Sequence, residues 1–183
     1  RADEANAQVI LAVGRRLHRW PECHVPDWAK ELTWDEQKEK IIDYLTVVVE
    51  RYKDESHIIY WQVENEPFLE VFAYSHCGEL DEEFLKQEIE HVRTLNPTRP
   101  ILITVICNLC NWYKAYRLGD AFGSSVYIHF WNPELGQFRT VLPPWFYVLK
   151  ENIIALIYGS KPTYLIELSA EPWLLEPITD VDI

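Results

Sequence analysis

The chain has 183 residues, with 17 Lys and Arg against 29 Asp and Glu for a formal net charge of −12; 48% of it is apolar and 14% aromatic. A chain of this size buries roughly 70% of its unfolded surface, so one globular domain is expected and disorder is excluded. The acidity argues against nucleic acid or an anionic membrane as partner, and no apolar run approaches the ~20 residues of a membrane span.

In chain order, Val9-Ile10-Leu11-Ala12-Val13 runs apolar into Gly14, as a strand buried on both faces does. Thr33-Trp34-Asp35-Glu36 is a capping box, and Ile41, Leu45, Val48 and Tyr52 then recur at i, i+4, i+7 and i+11 as one buried helical stripe. Residues 57–63 are rich in β-branched and aromatic side chains and predict a second strand. Asp81 caps a helix carrying Phe84, Leu85, Ile89, Val92 and Leu95, which must stop before Pro97. Residues 100–106 form a third strand, and a short helix from Trp112 to Leu118 ends at Gly119. Residues 125–130 predict the fourth strand. Pro143-Pro144 opens a helix through Ile157 that Gly159 closes, and residues 163–167 predict the fifth strand. The fold class is therefore α/β, strands alternating with helices around a parallel sheet with right-handed crossovers, in one domain over residues 1–183.

In such sheets the chemistry sits beyond the carboxyl ends of the strands, here residues 15–24, 64–67, 104–110, 129–132 and 167–173. The second strand ends in Glu64-Asn65-Glu66-Pro67 and the fifth in Glu167-Leu168-Ser169-Ala170-Glu171-Pro172-Trp173. An acid that follows an apolar strand is poorly solvated, so its pKa rises unless a partner stabilises it. A lone glutamate at a strand end is ordinarily a solvated or salt-bridged loop residue. Two of them, on separate strands and each followed by a loop bearing Trp or Phe, are what glycoside cleavage requires: one protonates the leaving oxygen and the other attacks the sugar carbon or activates water.

Trp61-Gln62-Val63-Glu64-Asn65-Glu66-Pro67-Phe68 resembles the Asn-Glu-Pro signature of the clan A retaining glycoside hydrolases, the (β/α)8 TIM-barrel cellulases, mannanases, β-galactosidases and their relatives. The resemblance covers essentially the whole chain and extends to uncharacterised cellulase-like bacterial barrels through Arg19-Trp20-Pro21-Glu22-Cys23-His24 and the Glu167 to Trp173 segment. It implies Glu66 as acid/base, Asn65 as ligand of the substrate 2-hydroxyl, Glu167 as nucleophile and Tyr127 as the tyrosine that hydrogen-bonds the nucleophile. It also implies hydrolysis of β-glycosidic bonds in oligo- or polysaccharides by double displacement, with carboxyl groups about 5–5.5 Å apart. Glu64 stands as the reserve acid and Glu171 as the reserve nucleophile. Trp20, Trp28, Trp131 and Trp173 are candidate sugar-stacking residues, with His24 as a further subsite ligand and His129 either a subsite ligand or a satisfied core histidine; Trp61, mid-strand, belongs to the core.

On this resemblance the five strands are strands three to seven of eight, whereas a complete barrel takes about 200–250 residues or more. The absence of Met and the low Gly count of 6 fit a trimmed or processed chain. A barrel fragment, a chain that pairs with a second copy or a complementing segment, and a redesigned smaller scaffold all follow, the last of these a non-catalytic binding protein. Carbohydrate is the expected substrate, with no cofactor and no metal. Cys107-x-x-Cys110 with His18, His24 and His76 offers only a weak metal pattern. Four reduced thiols and a Cys23–Cys77 disulfide both remain open, the second implying an oxidising compartment. No signal-peptide pattern opens the sequence, and secreted and cytoplasmic locations are equally consistent with it.

Overall fold

The computed structural model of the chain describes residues 2, 4–18, 23–69, 77, 80–106, 108, 111–132, 136–140 and 142–169, with side chains left out at 130–132 and 136–138. Its elements are β1 (Val9–Val13), α1 (Trp34–Tyr52), β2 (Ile58–Val63), α2 (Glu82–Leu95), β3 (Ile101–Ile106), α3 (Tyr113–Leu118), β4 (Ala121–Tyr127), β5 (His129–Asn132), β6 (Gly136–Arg139), α4 (Pro144–Tyr158) and β7 (Thr163–Ser169). Five strands form one sheet in the order β1-β2-β3-β4-β7, every neighbour parallel, while β5 and β6 pair antiparallel as a separate ribbon. The spatial order never reverses the chain order. That excludes a doubly wound sheet, which needs a switch point, and leaves the progression of a (β/α)8 barrel wall: the chain forms a half-barrel of TIM type.

The helices start where their caps dictate. Thr33 and Glu36 complete the capping box at α1, and the Asp81 side chain accepts the Phe84 N–H at 2.9 Å to open α2. The buried stripe of α1 runs where the spacing puts it, Leu45 wholly covered and Ile41, Val48 and Tyr52 packed against the core, and Val49 widens it. Pro144 at N1 opens α4, and Gly159 follows it at φ 89°.

Alternation along the strands divides the side chains between two faces. Val13, Trp61, Val63, Ile101, Ile103, Val105 and Phe122 face the helices and pack with Leu45, Val49, Leu85, Ile89, Val92 and Tyr116. Tyr60, Leu102 and Ala121 form a second cluster on the concave face, against Ile10, Ile59 and Ile166.

The fourth strand corrects the sequence reading. It begins at Ala121, four residues earlier than residues 125–130 suggested, and His129 and Phe130 belong to the β5–β6 ribbon. The reason is steric. A Cβ on Gly123 would meet Ile166 Cγ1 at 2.5 Å and Thr104 Cγ2 at 2.9 Å, so small residues are what this crowded stretch of concave wall admits.

The last helix and strand leave apolar surface in water. Leu156 is 87% exposed, and Trp145, Val148, Leu149, Ile153 and Ile157 of α4 are exposed with Leu165 and Leu168 of β7. Among the described residues, no helix is long and apolar enough to cross a membrane. Cys23 and Cys77, 54 residues apart, are joined as a disulfide, which settles the choice between reduced thiols and a bridge for that pair. Cys107, Cys110 and His76 lie outside the described residues, within which no cluster of three or more His, Cys, Asp or Glu is arranged to hold a metal.

Candidate active site

Glu66 leaves the end of β2 on a turn with left-handed backbone at two non-glycine residues, φ 58° at Glu64 and 45° at Glu66. Each such residue costs on the order of 1–3 kcal/mol, so the surroundings must hold the turn in place. Hydrogen bonds from β2 and β3 do so. The Glu66 N–H donates to Thr104 Oγ1 of β3 at 3.0 Å, and Thr104 also accepts from Gln62 Nε2 of β2 at 3.1 Å. Gln62 Nε2 donates in addition to Asn65 Oδ1 at 3.0 Å, fixing that amide beside Glu66. Asn65 and Glu66 are each 2% exposed, buried polar groups at the mouth of the concave face.

The Glu66 carboxyl meets β4. Ser125 donates its hydroxyl hydrogen to Glu66 Oε1. Ser125 is also the register partner of Glu167 on β7, so one residue of β4 bonds the first carboxylate and lies level with the backbone of the second. The pairing shifts register between Ser124 and Ser125, where Ile166 is the extra residue of β7. A bulge of this kind interrupts alternation, and Ile166 and Glu167 consequently both serve the concave face. Ile166 packs there against the cluster of Tyr60 and Leu102, while Glu167 accepts a hydrogen bond from the Tyr127 phenol. Glu167 Oε1 also stands 3.8 Å from His18 Nε2, whose ring reaches Gln62 Nε2 at 3.4 Å. Deeper in the wall the Tyr60 and Tyr164 hydroxyls share a hydrogen bond of 2.9 Å, and this bond together with burial pushes the Tyr60 phenol up to about 12.

The structure thus gathers Glu66, Asn65, Tyr127 and Glu167 at one end of the sheet. Glu64 is turned elsewhere, into a buried contact with the backbone of Arg15 and Arg16. His24 and Trp28 line a groove of about 330 Å³ between the end of β1 and α1, together with Val25, Pro26, Ile41 and Tyr44. His129 opens β5 opposite Arg139, and Trp131 lies two residues further on the same ribbon. Trp61 is wholly buried in the core. Trp20, Glu171 and Trp173 lie outside the described residues.

Sequence reasoning missed Gln62, Thr104 and Ser125, and gave His18 only a place in a metal pattern. The signal was available: all three are polar residues inside strands that are otherwise apolar, and a buried hydroxyl or amide there must have a partner.

Comparison with known proteins follows the same geometry. The family model described as beta-galactosidase, glycoside hydrolase 42, matches residues 31–160. No curated protein matches the chain. Among solved structures it is similar to a β-D-glucuronidase of Dictyoglomus thermophilum, at 25% identity and TM-score 0.57, over 93% of this chain and 27% of that one. It is similar in fold to an endo-β-1,4-xylanase of glycoside hydrolase family 10 from Gloeophyllum trabeum, at 19% identity and TM-score 0.57, over 94% of this chain and 54% of the xylanase. A β-galactosidase of Rahnella sp. R3 superposes with TM-score 0.60 at 14% identity, over 91% of this chain and 35% of that one. The chain therefore spans about a quarter to a half of the length of these proteins. With 130 of its 183 positions inside the matched region (31 to 160 inclusive), this chain belongs to the glycoside hydrolase 42 family.

Proposed function

We propose that the protein hydrolyses β-glycosidic bonds with retention of configuration, Glu66 serving as acid/base and Glu167 as nucleophile, in the manner of the clan A cellulase-like barrels. The observation that supports this reading is that β4 supplies a hydroxyl donor to each of the two carboxylates, Ser125 to Glu66 and Tyr127 to Glu167, with Ser125 in register with Glu167.

In the first step a Glu167 carboxylate oxygen attacks the anomeric carbon. The bond from that carbon to the aglycone oxygen breaks, and the proton held by Glu66 passes to the departing oxygen. A glycosyl ester on Glu167 results, with Glu66 now ionised. In the second step Glu66 takes a proton from water as the water oxygen attacks the anomeric carbon, which frees Glu167 and returns the proton to Glu66. In this reading Asn65, whose amide oxygen is held by Gln62, binds the sugar 2-hydroxyl through its amide nitrogen, and the Tyr127 phenol orients the nucleophile. His24, His129 and the tryptophans Trp20, Trp131 and Trp173 are the proposed subsite walls. The substrate class is a neutral or uronic β-glycoside.

The test is Glu66→Gln and Glu167→Gln assayed on a panel of aryl β-glycosides. Loss of the acid/base lowers turnover by about 10²–10⁴-fold, and loss of the nucleophile by at least as much. Should both variants match the parent, the enzymatic reading is lost and a binding or scaffold protein takes its place.

The apolar residues exposed on α4 and β7 favour a second element of the proposal: a further copy, or a complementing segment, covers this edge of the barrel wall. Mass by light scattering decides it, a monodisperse monomer speaking against self-association.

A further inference from the structure

The turn that presents Glu66 is also held from behind, by a carboxylate that touches none of the groups assigned above. Glu64 Oε1 accepts the Arg15 N–H and its Oε2 accepts the Arg16 N–H, both at 2.6 Å. The Glu64 N–H donates to the Val13 carbonyl and the Asn65 N–H to the Arg16 carbonyl, each at 2.8 Å. Gly14 lies in this path at φ 116°, and a Cβ there would collide with the Glu64 carboxyl. Behind Glu64 stands Glu88 of α2, 2% exposed, the two side chains lining one pocket within hydrogen-bonding reach, and Glu88 Oε1 has no hydrogen-bond partner. Two carboxyl groups in contact and out of water cannot both be ionised, so the pair holds one proton.

The surroundings decide where that proton sits. Glu64 has two backbone N–H donors and the Arg15 charge. Glu88 faces Glu64 and Asp81, with Arg15 as its favourable charge. The remaining charged and titratable groups around the pair are Arg16 from the end of β1, Tyr44 from α1, and Lys38 of α1, which lies 3.3 Å from Asp81. The proton therefore resides on Glu88, which donates it to Glu64.

We propose that Glu64 and Glu88 are positioning residues, a carboxyl pair whose shared proton clamps the left-handed turn 64–66 against the end of β1 and so fixes the direction of the Glu66 carboxyl. Burial is the largest cause pushing both carboxyl groups up, Glu88 well above the ordinary carboxylate range, in keeping with a retained proton. With Glu88 ionised, repulsion from Glu64 loosens the clamp, and the strain stored at Glu64 and Glu66 is released by movement of the turn. The kinetic consequence rests on the reading of Glu66 as acid/base; the clamp does not.

The test is carbon-13 NMR of protein labelled at the glutamate carboxyl carbons, read from acid to alkaline pH. One signal should titrate above all others and disappear in Glu88→Gln. The Glu66 signal, identified by its loss in Glu66→Gln, should show a second inflection at the Glu88 titration. That inflection should vanish in Glu88→Gln, which keeps a neutral donor to Glu64. In Glu88→Leu, which keeps none, the Glu66 signal should be displaced at every pH, with kcat lowered about tenfold to a hundredfold, KM nearly unchanged and recovery in Glu88→Gln. The proposal is overturned by a parent in which every glutamate titrates in the ordinary range, or by a Glu66 signal indifferent to the ionisation of Glu88. The NMR readings need no turnover and no aliphatic variant that folds. An inactive parent would therefore count against the acid/base assignment alone.

Discussion

Ser125 donates its hydroxyl to Glu66 although the whole of β3 separates the strands that carry them. The span is bridged because Glu66 sits past the end of β2 on a left-handed turn that leans across β3, where Thr104 receives its N–H. Ser125 is also level with Glu167 in the β4–β7 register, so the residue that holds Glu66 neighbours the strand position that carries Glu167.

Ser125→Ala removes that donor with little change in volume. A hydrogen bond to a charged or proton-sharing group is worth about 1.5–3 kcal/mol, which corresponds to a loss of about tenfold to a hundredfold in kcat. KM should change little, because the lost contact orients the proposed acid/base rather than the sugar. Steady-state kinetics on an aryl β-glycoside reads both constants. A variant with parental kcat would detach Ser125 from the chemistry.

Tyr127→Phe deletes the phenolic donor to Glu167 and keeps the ring. A single donor aimed at a reacting oxygen is worth about 10²-fold or more in turnover. The glycosylation step should bear this loss, so a substrate with a better leaving group recovers part of it. An unchanged rate across leaving groups would show that Glu167 needs no help from β4.

The Cys23–Cys77 bridge closes a segment of 54 residues. On the chain-entropy account a loop of that length contributes about 4 kcal/mol through the unfolded state. Reduction, or the pair Cys23→Ser with Cys77→Ser, should lower the urea midpoint accordingly. The Arg15 guanidinium donates to the Cys77 carbonyl at 2.7 Å, so loosening near the Glu64 clamp should accompany the loss. A midpoint that does not move would show that the bridge adds no stability.

Stability should also carry the signature of Glu88. Its folded pKa lies above its unfolded one, so the folded state binds the extra proton between the two values. This contribution is complete below the unfolded value near 4.5 and is lost as the pH rises through the raised folded value. Glu88→Gln removes the loss. The difference in unfolding free energy, variant minus parent, should therefore grow with pH across this window, as urea titrations at several pH values will show. A difference independent of pH would contradict it.

Much of the fold was legible because local chemistry and tertiary structure agree. Thr33 with Glu36, and Asp81, mark helix starts that the structure keeps, and the apolar runs before Gly14, Glu64 and Glu167 are strands. Agreement failed at β4. Gly123, Ser124 and Ser125 have poor strand propensity; the crowding of Ile166 and Thr104 explains Gly123, and the hydrogen bond to Glu66 explains Ser125. The carboxylates were legible from their place at strand ends. Their partners were legible only as polar residues inside strands that must find some partner; that Ser125, Thr104 and Gln62 meet around Glu66 depends on register, which a sequence does not contain. The Cys23–Cys77 disulfide is one of the two readings the sequence leaves open, and the fold, which brings together cysteines 54 residues apart, chooses between them.

The most direct test of the central claim is to trap the covalent intermediate. A 2-deoxy-2-fluoro β-glycoside with a good leaving group slows both steps of double displacement, and the second more, so the glycosyl ester accumulates. Digestion and mass spectrometry should find one fluorosugar on Glu167, with no adduct in Glu167→Gln and slowed formation in Ser125→Ala. An adduct on any other residue, or turnover of the parent substrate with no adduct at all, would contradict the assignment of Glu167 as nucleophile.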